Sequence, residues 1–317
     1  MLGEERQRAS GVKKIIVGLG ELLWDLLPSG ERLGGAPANF AVMASRLGNR
    51  GVIASRLSAD ERGVQARKIL GELPVDVSFL QSDTTHPTGT VGVEIIDDEP
   101  HYLIHEPVAW DFLDWTPEWQ KLAGEVDAVC FGSLAQRADV SRATIRQFVA
   151  ATRPECVRVF DVNLREPFFS AEVIEGSLAA ATIFKLNELE VPQVLGMLGS
   201  DLLPGAEEDD LLAAARWLLA RYPIKLVAIT MGADGSLLVT GEESQRRQGI
   251  HGNVVDTVGA GDAFTAALVD AYLAGASLAR MNEAGNRWGA WVASQRGAMP
   301  ELRAETLAAI QGKIAEV

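Results

Sequence analysis

The sequence predicts an α/β protein: a doubly wound, mostly parallel sheet with helices on both faces, plus a small β lid. Three observations lead there. Short β-branched runs alternate with longer amphipathic ones, the rhythm of strand–helix–strand units. The short runs are apolar along most of their length, as strands covered on both faces must be. One stretch, 88–107, breaks the rhythm with two alternating segments and no helix between them.

Taken in order, "KKIIVGLG" (13–20), "GVIASR" (51–56), "VDAVCFG" (126–132), "VRVFDVN" (157–163), "ATIFKLN" (181–187) and "KLVAIT" (225–230) read as buried strands. Helical spacing marks "PANFAVMASRLG" (37–48), "ADVSRATIRQFVAA" (138–151), "EDDLLAAARWLLARY" (208–222) and the segment that begins at Gly259. In "TGTVGVEIIDDEPHYLIHEP" (88–107), Val91, Val93 and Ile95 alternate with polar or small residues ahead of an acidic turn. A hairpin inserted in an α/β sheet is expected to leave it and cover a site. No repeat, low-complexity tract or Pro/Ser-rich linker divides the chain, so one domain over 1–317 is expected.

Bulk properties limit the partners. With 317 residues, 47% of them hydrophobic, the chain can bury a sizeable core. Its net charge of −14 and pI near 4.8 argue against nucleic acid or an anionic membrane as a partner. An anionic ligand would then need positive potential supplied locally, by backbone N–H groups, one or two Arg or Lys residues, or a divalent metal. Cys130 and Cys156 have neither metal-ligand spacing nor a disulfide framework, which fits a reducing cytoplasm. No apolar run approaches the roughly 20 residues of a membrane span, and the opening "MLGEERQRAS" has no secretory core.

Sites in such sheets lie beyond the carboxyl ends of the strands. After the first strand, "GELLWD" places Asp25 as a site acid or a solvated loop acid. "GGAPANFA" offers Gly34 and Gly35 for close backbone approach and Asn39 in the first helical turn, or simply a turn and a helix start. "FDVNLR" sets Asp161, Asn163 and Arg165 at a strand end, alternate residues pointing one way if the strand continues. In "NELE", Asn187 and Glu190 are three apart and would share a helix face, either as site residues or as a cap. In "DTVGAGDAFTAALVDAYLAG" (256–275), Gly259, Ala260 and Gly261 strip a loop bare before Asp262 opens a helix. Such a loop can close its N–H groups around an anion.

Together, "GGAPANFAVMASRLG" and "DTVGAGDAFTAAL" resemble the two signatures of the ribokinase-like (PfkB) carbohydrate kinases, in order and more than two hundred residues apart. "NELE", "ITMGADGSLL" and "AGNRWGAWVASQRGA" extend the resemblance over nearly the whole chain, and "GELLWDLLPSGERLGGAPANFA" is most similar to bacterial fructokinases. Ribokinases usually carry a lysine after the paired glycines, where this chain has Ala36 and Pro37.

The resemblance implies one ribokinase-like domain with lid strands at approximately 22–34 and 89–107, and transfer of the γ-phosphoryl of ATP to a small sugar. It makes Asp262 the catalytic base, with Gly259, Ala260 and Gly261 presenting N–H groups to the phosphoryl charge and Arg165 adding a positive contact. Asp25, Gly34, Gly35, Asn39 and Asn163 would bind sugar. Asn187, Thr230, Gly232, Gly235 and Asn286 would bind the nucleotide, and Glu190 would hold a water on Mg2+. Asp256 would be one ligand of a K+ ion beside the loop, if this relative binds one. A homodimer through the lid edge is a further expectation.

D-fructose is the expected sugar, with 2-keto-3-deoxygluconate and ribose as alternatives. A silent sugar-binding regulator on the same fold would be expected to lack Asp262, which is present. A nicotinamide-dependent oxidoreductase, suggested by "GLGELL", fails for want of the third glycine and of a helix opening in "LLWDLLP".

Overall fold

The computed structural model describes residues 13–27, 30–96, 99–202 and 208–317; the side chains of 93–102, including Val93 and Ile95, and the opening stretch 1–12 lie outside the described residues. Its strands are β1 (Ile15–Leu19), β2 (Leu23–Leu27), β3 (Gly30–Gly34), β4 (Arg50–Ser58), β5 (Leu80–Asp83), β6 (Gly89–Ile96), β7 (Glu99–Ile104), β8 (Ala128–Phe131), β9 (Val157–Asp161), β10 (Ile183–Asn187), β11 (Leu226–Thr230), β12 (Ser236–Val239) and β13 (Ser244–Arg247). The helices are α1 (Ala36–Arg46), α2 (Glu61–Gly71), α3 (Pro117–Glu125), α4 (Asp139–Ala150), α5 (Ala171–Ala180), α6 (Glu190–Met197), α7 (Glu208–Arg221), α8 (Ala260–Leu273), α9 (Leu278–Ala293) and α10 (Ala304–Ala315). None is long and apolar enough to cross a membrane.

Nine strands form one sheet in the order β13-β12-β11-β10-β9-β8-β1-β4-β5. From β11 to β5 the pairings are parallel; β12 and β13 close one edge antiparallel. Winding reverses at β1, which has β4 on one side and β8 on the other. A ligand crevice belongs beyond the carboxyl ends at such a reversal.

Period-two alternation sorts the strand residues between two cores. On one face Phe131, Phe160 and Phe184 stack across β8, β9 and β10 with successive ring centroids 5.5 Å apart, under helices that include α4 and α5. On the other face Cys130, Val159 and Ile183 pack with Phe40 of α1, Phe264 of α8 and Trp288 of α9. The same rows continue to Asp161 and Lys185, which are partners across β9 and β10 and so face α8. Helix α1 sits close on β1 because Gly18 has no side chain: a Cβ there would lie 1.8 Å from the Pro37 carbonyl oxygen.

The segments 22–34 and 89–107 build a second sheet, β3-β2-β6-β7, separate from the first, with 28–29 and 97–98 outside the described residues. Its register pairs Asp25 with Arg32 and Val91, and Val91 with Ile104.

Two local expectations need correction. β9 ends at Asp161, so Asn163 does not continue its alternation; it bends the chain with φ 39°. Asn187 ends β10 while Glu190 begins α6, so the two share a strand-to-helix turn rather than a helix face.

Phe160 is the middle of the aromatic stack, with no exposed surface. Phe160→Ala is therefore expected to cost about 3–5 kcal/mol in urea unfolding, with the m-value unchanged. A loss below about 1 kcal/mol would mean that the stack does not hold the strands together.

Candidate active site

A cleft of about 1450 Å³ opens beyond the carboxyl ends of β1, β9, β10 and β11, beneath the four-stranded sheet. A pocket for one small molecule measures about 300–1,000 Å³, so two reactants fit here. The sheet contributes Leu23, Asp25, Leu27, Val91 and Ile104 to the lining. The cleft also gathers Gly35, Asn39, Asn163, Arg165, Asn187, Thr230, Gly232, Gly235, Asn286 and the whole stretch Gly259 to Asp262. Of the expected residues, Gly34, Glu190 and Asp256 stand outside the lining. Gly34 lies behind Asp25, where a Cβ would come 3.0 Å from the Asp25 carboxylate.

The loop before α8 leaves backbone donors open to the cleft. Gly259 takes a left-handed turn with φ 79°, and a Cβ there would meet Ala298 Cβ at 2.5 Å. Only glycine fits both conditions. No side chain caps the helix, and the N–H groups of Gly259, Gly261 and Asp262 find no acceptor among the described residues. Such orphan donors, aligned with the helix dipole, attract negative charge.

Asp262 sits at this helix start with part of its surface open to the cleft. Its Oδ2 accepts a 2.8 Å hydrogen bond from Asn39 Nδ2, which ties α8 to α1. Asn39 thus spends an amide N–H on the acid, while its Oδ1 is buried without a partner among the described residues. Burial, reinforced by the nearby Asp161, lifts the Asp262 carboxyl to about 6, against the pull of Asn39, Lys185 and Arg165. Arg165 lines the cleft at the exposed side and draws down Glu21 and Asp25 as well. Asp25 is raised mainly by burial.

Behind the loop lies a polar cluster that sequence reading had not assembled. Lys185 Nζ donates to Asp161 Oδ1 at 3.1 Å, and Thr265 Oγ1 of α8 donates to Asp161 Oδ2 at 2.9 Å. Glu21, also missed, is 3% exposed, and its Oε2 has no partner among the described residues although the residue lines the cleft. The available signal was a charged residue placed in an otherwise apolar row.

The other expected contacts are internally braced. Glu190 accepts from the N–H groups of Leu164 (2.8 Å) and Asn187 (2.7 Å), while Asn187 Oδ1 accepts from Glu190 N at 3.0 Å. Burial raises the Glu190 carboxyl, with Lys185 opposing. Asn286 Nδ2 donates to Ser236 Oγ at 2.6 Å and to Asn282. The Asp256 carboxylate pairs with Arg32 and accepts from the N–H groups of Val258 and Gly297, both at 3.1 Å. These partners outweigh its burial and lower its pKa. Among the described residues, no three or more His, Cys, Asp or Glu side chains converge to hold a metal. A hard cation that takes its oxygens mostly from phosphate and water needs no such cluster.

Burial lifts the Glu21 carboxyl from 4.5 to about 7. Folded Glu21 therefore holds its proton more tightly than unfolded Glu21, and it stabilises the fold below pH 4.5 but loses that contribution as pH rises through 7. Glu21→Gln should gain stability relative to wild type between pH 5 and pH 8, on the order of 2–3 kcal/mol in paired urea titrations. An unchanged difference between the two pH values would show that the carboxyl is not strained by burial.

The family model described as pfkB family carbohydrate kinase matches residues 29–305. The chain is 31% identical over 306 residues to the fructokinase of Escherichia coli, covering 90% of this chain and 94% of that one. Among solved structures, a sugar kinase of Pyrococcus horikoshii in complex with ATP superposes with a TM-score of 0.75 at 29% identity, over 92% of this chain and 96% of that chain. The fructokinase of Vibrio cholerae in a fructose-, ADP- and calcium-bound form superposes with a TM-score of 0.77 at 26% identity, over 95% and 99% of the two chains. With its two sheets, its cleft at the strand ends and a family match over most of its length, the chain belongs to the pfkB family of carbohydrate kinases.

Proposed function

We propose that the protein phosphorylates a hydroxyl of D-fructose with ATP, using Asp262 as the base. The observation that carries this reading is a carboxylate held by Asn39 at the mouth of an unfilled anion loop, in a cleft large enough for sugar and nucleotide together. As the sugar oxygen attacks the γ-phosphorus, Asp262 takes its proton. A pKa near 6 makes it a better base than an exposed Asp while leaving it mostly ionised at pH 7. Backbone N–H groups of Gly259 and Gly261 meet the charge spreading over the phosphoryl oxygens, and Arg165 adds to them from the cleft wall; Ala260, expected to share in this, instead donates its N–H to Thr257 O at 3.2 Å.

Asn187, Thr230, Gly232, Gly235 and Asn286 line the nucleotide end. The residues present fit Mg2+ only through water, with Glu190 fixed by two N–H groups behind the phosphates. When bound, the metal neutralises phosphate charge. Asp256 is already neutralised by Arg32, so a K+ ion there would have to share it.

Asp25, Gly35, Asn39 and Asn163 offer the donors and acceptors a polyol needs, with Gly34 making room for Asp25. The four-stranded sheet is the lid that excludes water during transfer, and its outer strand β7 is where a second copy would pair; a monomeric mass by light scattering would rule out that dimer. Free, buried Cys130 and Cys156 fit a cytoplasmic enzyme.

Asp262→Asn keeps the size and hydrogen-bonding reach but cannot take a proton. Its turnover at saturating MgATP and sugar should fall about 10²- to 10⁴-fold, with a thermal melt at or above that of wild type, since a carboxyl strained by burial is removed. Retention of more than about a tenth of wild-type turnover would remove Asp262 as the base. For specificity, ADP release should be fastest with fructose in a panel including ribose, glucose and 2-keto-3-deoxygluconate. A panel led by another sugar would replace fructose and leave the kinase standing.

A further inference from the structure

We infer, resting on the kinase reading above, that Lys185 is a catalytic residue whose ammonium donates hydrogen bonds to the phosphoryl group during its transfer. Alternation along β10 turns Lys185 towards α8, into the row that Val159 and Ile183 otherwise keep apolar. Its Nζ stops just below the anion loop: a Cβ on Gly261 would lie 3.2 Å from it. The side chain lines the cleft, although the residue is only 7% exposed.

The ammonium is incompletely satisfied. It carries three donors, and the described residues use one, to Asp161 Oδ1 at 3.1 Å. Two N–H groups on a nearly buried cation are expensive to leave unmade. What they lack is an acceptor, and the nearest open ground is the space in front of Gly261 and Asp262, where N–H groups of the loop are also unfilled. Both sets of donors suit the same oxyanion.

Asp161 fixes the ammonium in that position. It is itself braced by Thr265, whose single hydroxyl proton is shared between Asp161 Oδ2 and Gly261 O, each 2.9 Å from Oγ1, so the cation, the loop and the first turn of α8 are tied together. In a chain of net charge −14 this is how positive charge reaches the transfer point. During the step the sugar oxygen forms its bond to the γ-phosphorus, the bond to the β-phosphate oxygen breaks towards ADP, and the hydroxyl proton passes to Asp262. Lys185 keeps its own proton and contributes charge and hydrogen bonds only.

The test uses Lys185→Met, the double variant Lys185→Met/Asp161→Asn, and Asp262→Asn alongside. Calorimetric affinity is measured for ADP and for a non-hydrolysable imido analogue of ATP. In the lysine variants kcat should fall about 10²- to 10³-fold, as when one oxyanion donor is removed. The analogue should bind at least about tenfold more weakly while ADP stays within about threefold, because only the analogue carries the terminal phosphoryl group. The double variant removes both charges of the ion pair, so it should fold even if the single one does not, and it should remain slow.

Recovery of turnover in the double variant would overturn the proposal, since Lys185 would then merely neutralise Asp161. Equal weakening of ADP and analogue, or of neither, would also overturn it. If Asp262→Asn stays active, the base assignment fails, while the ADP and analogue affinities still decide the case of Lys185.

Discussion

The hydrogen bond from Asn39 to Asp262 joins the starts of the two helices on which the cleft depends. Helix α1 begins after Gly35, which has φ 114°, and α8 after Gly259; neither has a side-chain cap. Their first turns can approach the ends of β1, β9 and β10 only because glycine occupies the closest positions. At Gly35 a Cβ would come 2.5 Å from the Glu21 carbonyl oxygen. The same bareness leaves N–H groups pointing into the cleft. One steric constraint thus produces both the packing of the helices and the row of unfilled donors at the cleft.

Around that bond the protein concentrates charge that a core would normally avoid. Glu21, Asp161, Glu190 and Asp262 face Lys185 and Arg165 in a low-dielectric corner of the sheet. Burial raises the carboxyls of Glu21, Glu190 and Asp262, which is the expected cost of desolvation. A buried ion pair such as Lys185–Asp161 contributes little to net stability compared with an apolar pair of the same size. Its place beneath the loop is better understood as serving the reaction. The aromatic stack on the opposite face of the sheet, with no charge in it, supplies the rigidity that this arrangement needs.

Much of this was legible in the residues. Apolar runs identified six strands of the large sheet because burial on both faces leaves them few polar positions. The three small residues before Asp262 pointed to a loop of exposed backbone, and the N–H groups of Gly259 and Gly261 find no acceptor among the described residues. The β12–β13 edge was not anticipated: Ser244–Arg247 is polar throughout and pairs by backbone alone. Asn39 was legible as a site residue but not as the partner of Asp262, because the contact spans residues far apart in the chain. Lys185 and Glu21 were missed for a related reason. Lys185 sits within an apolar run and Glu21 just after one, and only the pairing of strands and the seating of helices reveals that the two converge.

The claim that a buried, proton-accepting Asp262 drives transfer is tested most directly by the pH dependence of kcat/KM for the best sugar. The account predicts an acid limb bending at about 6, the value to which burial lifts this carboxyl, with a plateau above it. A profile that stays flat from pH 8 down to about 4.5, as an exposed aspartate near its usual pKa would allow, would contradict it.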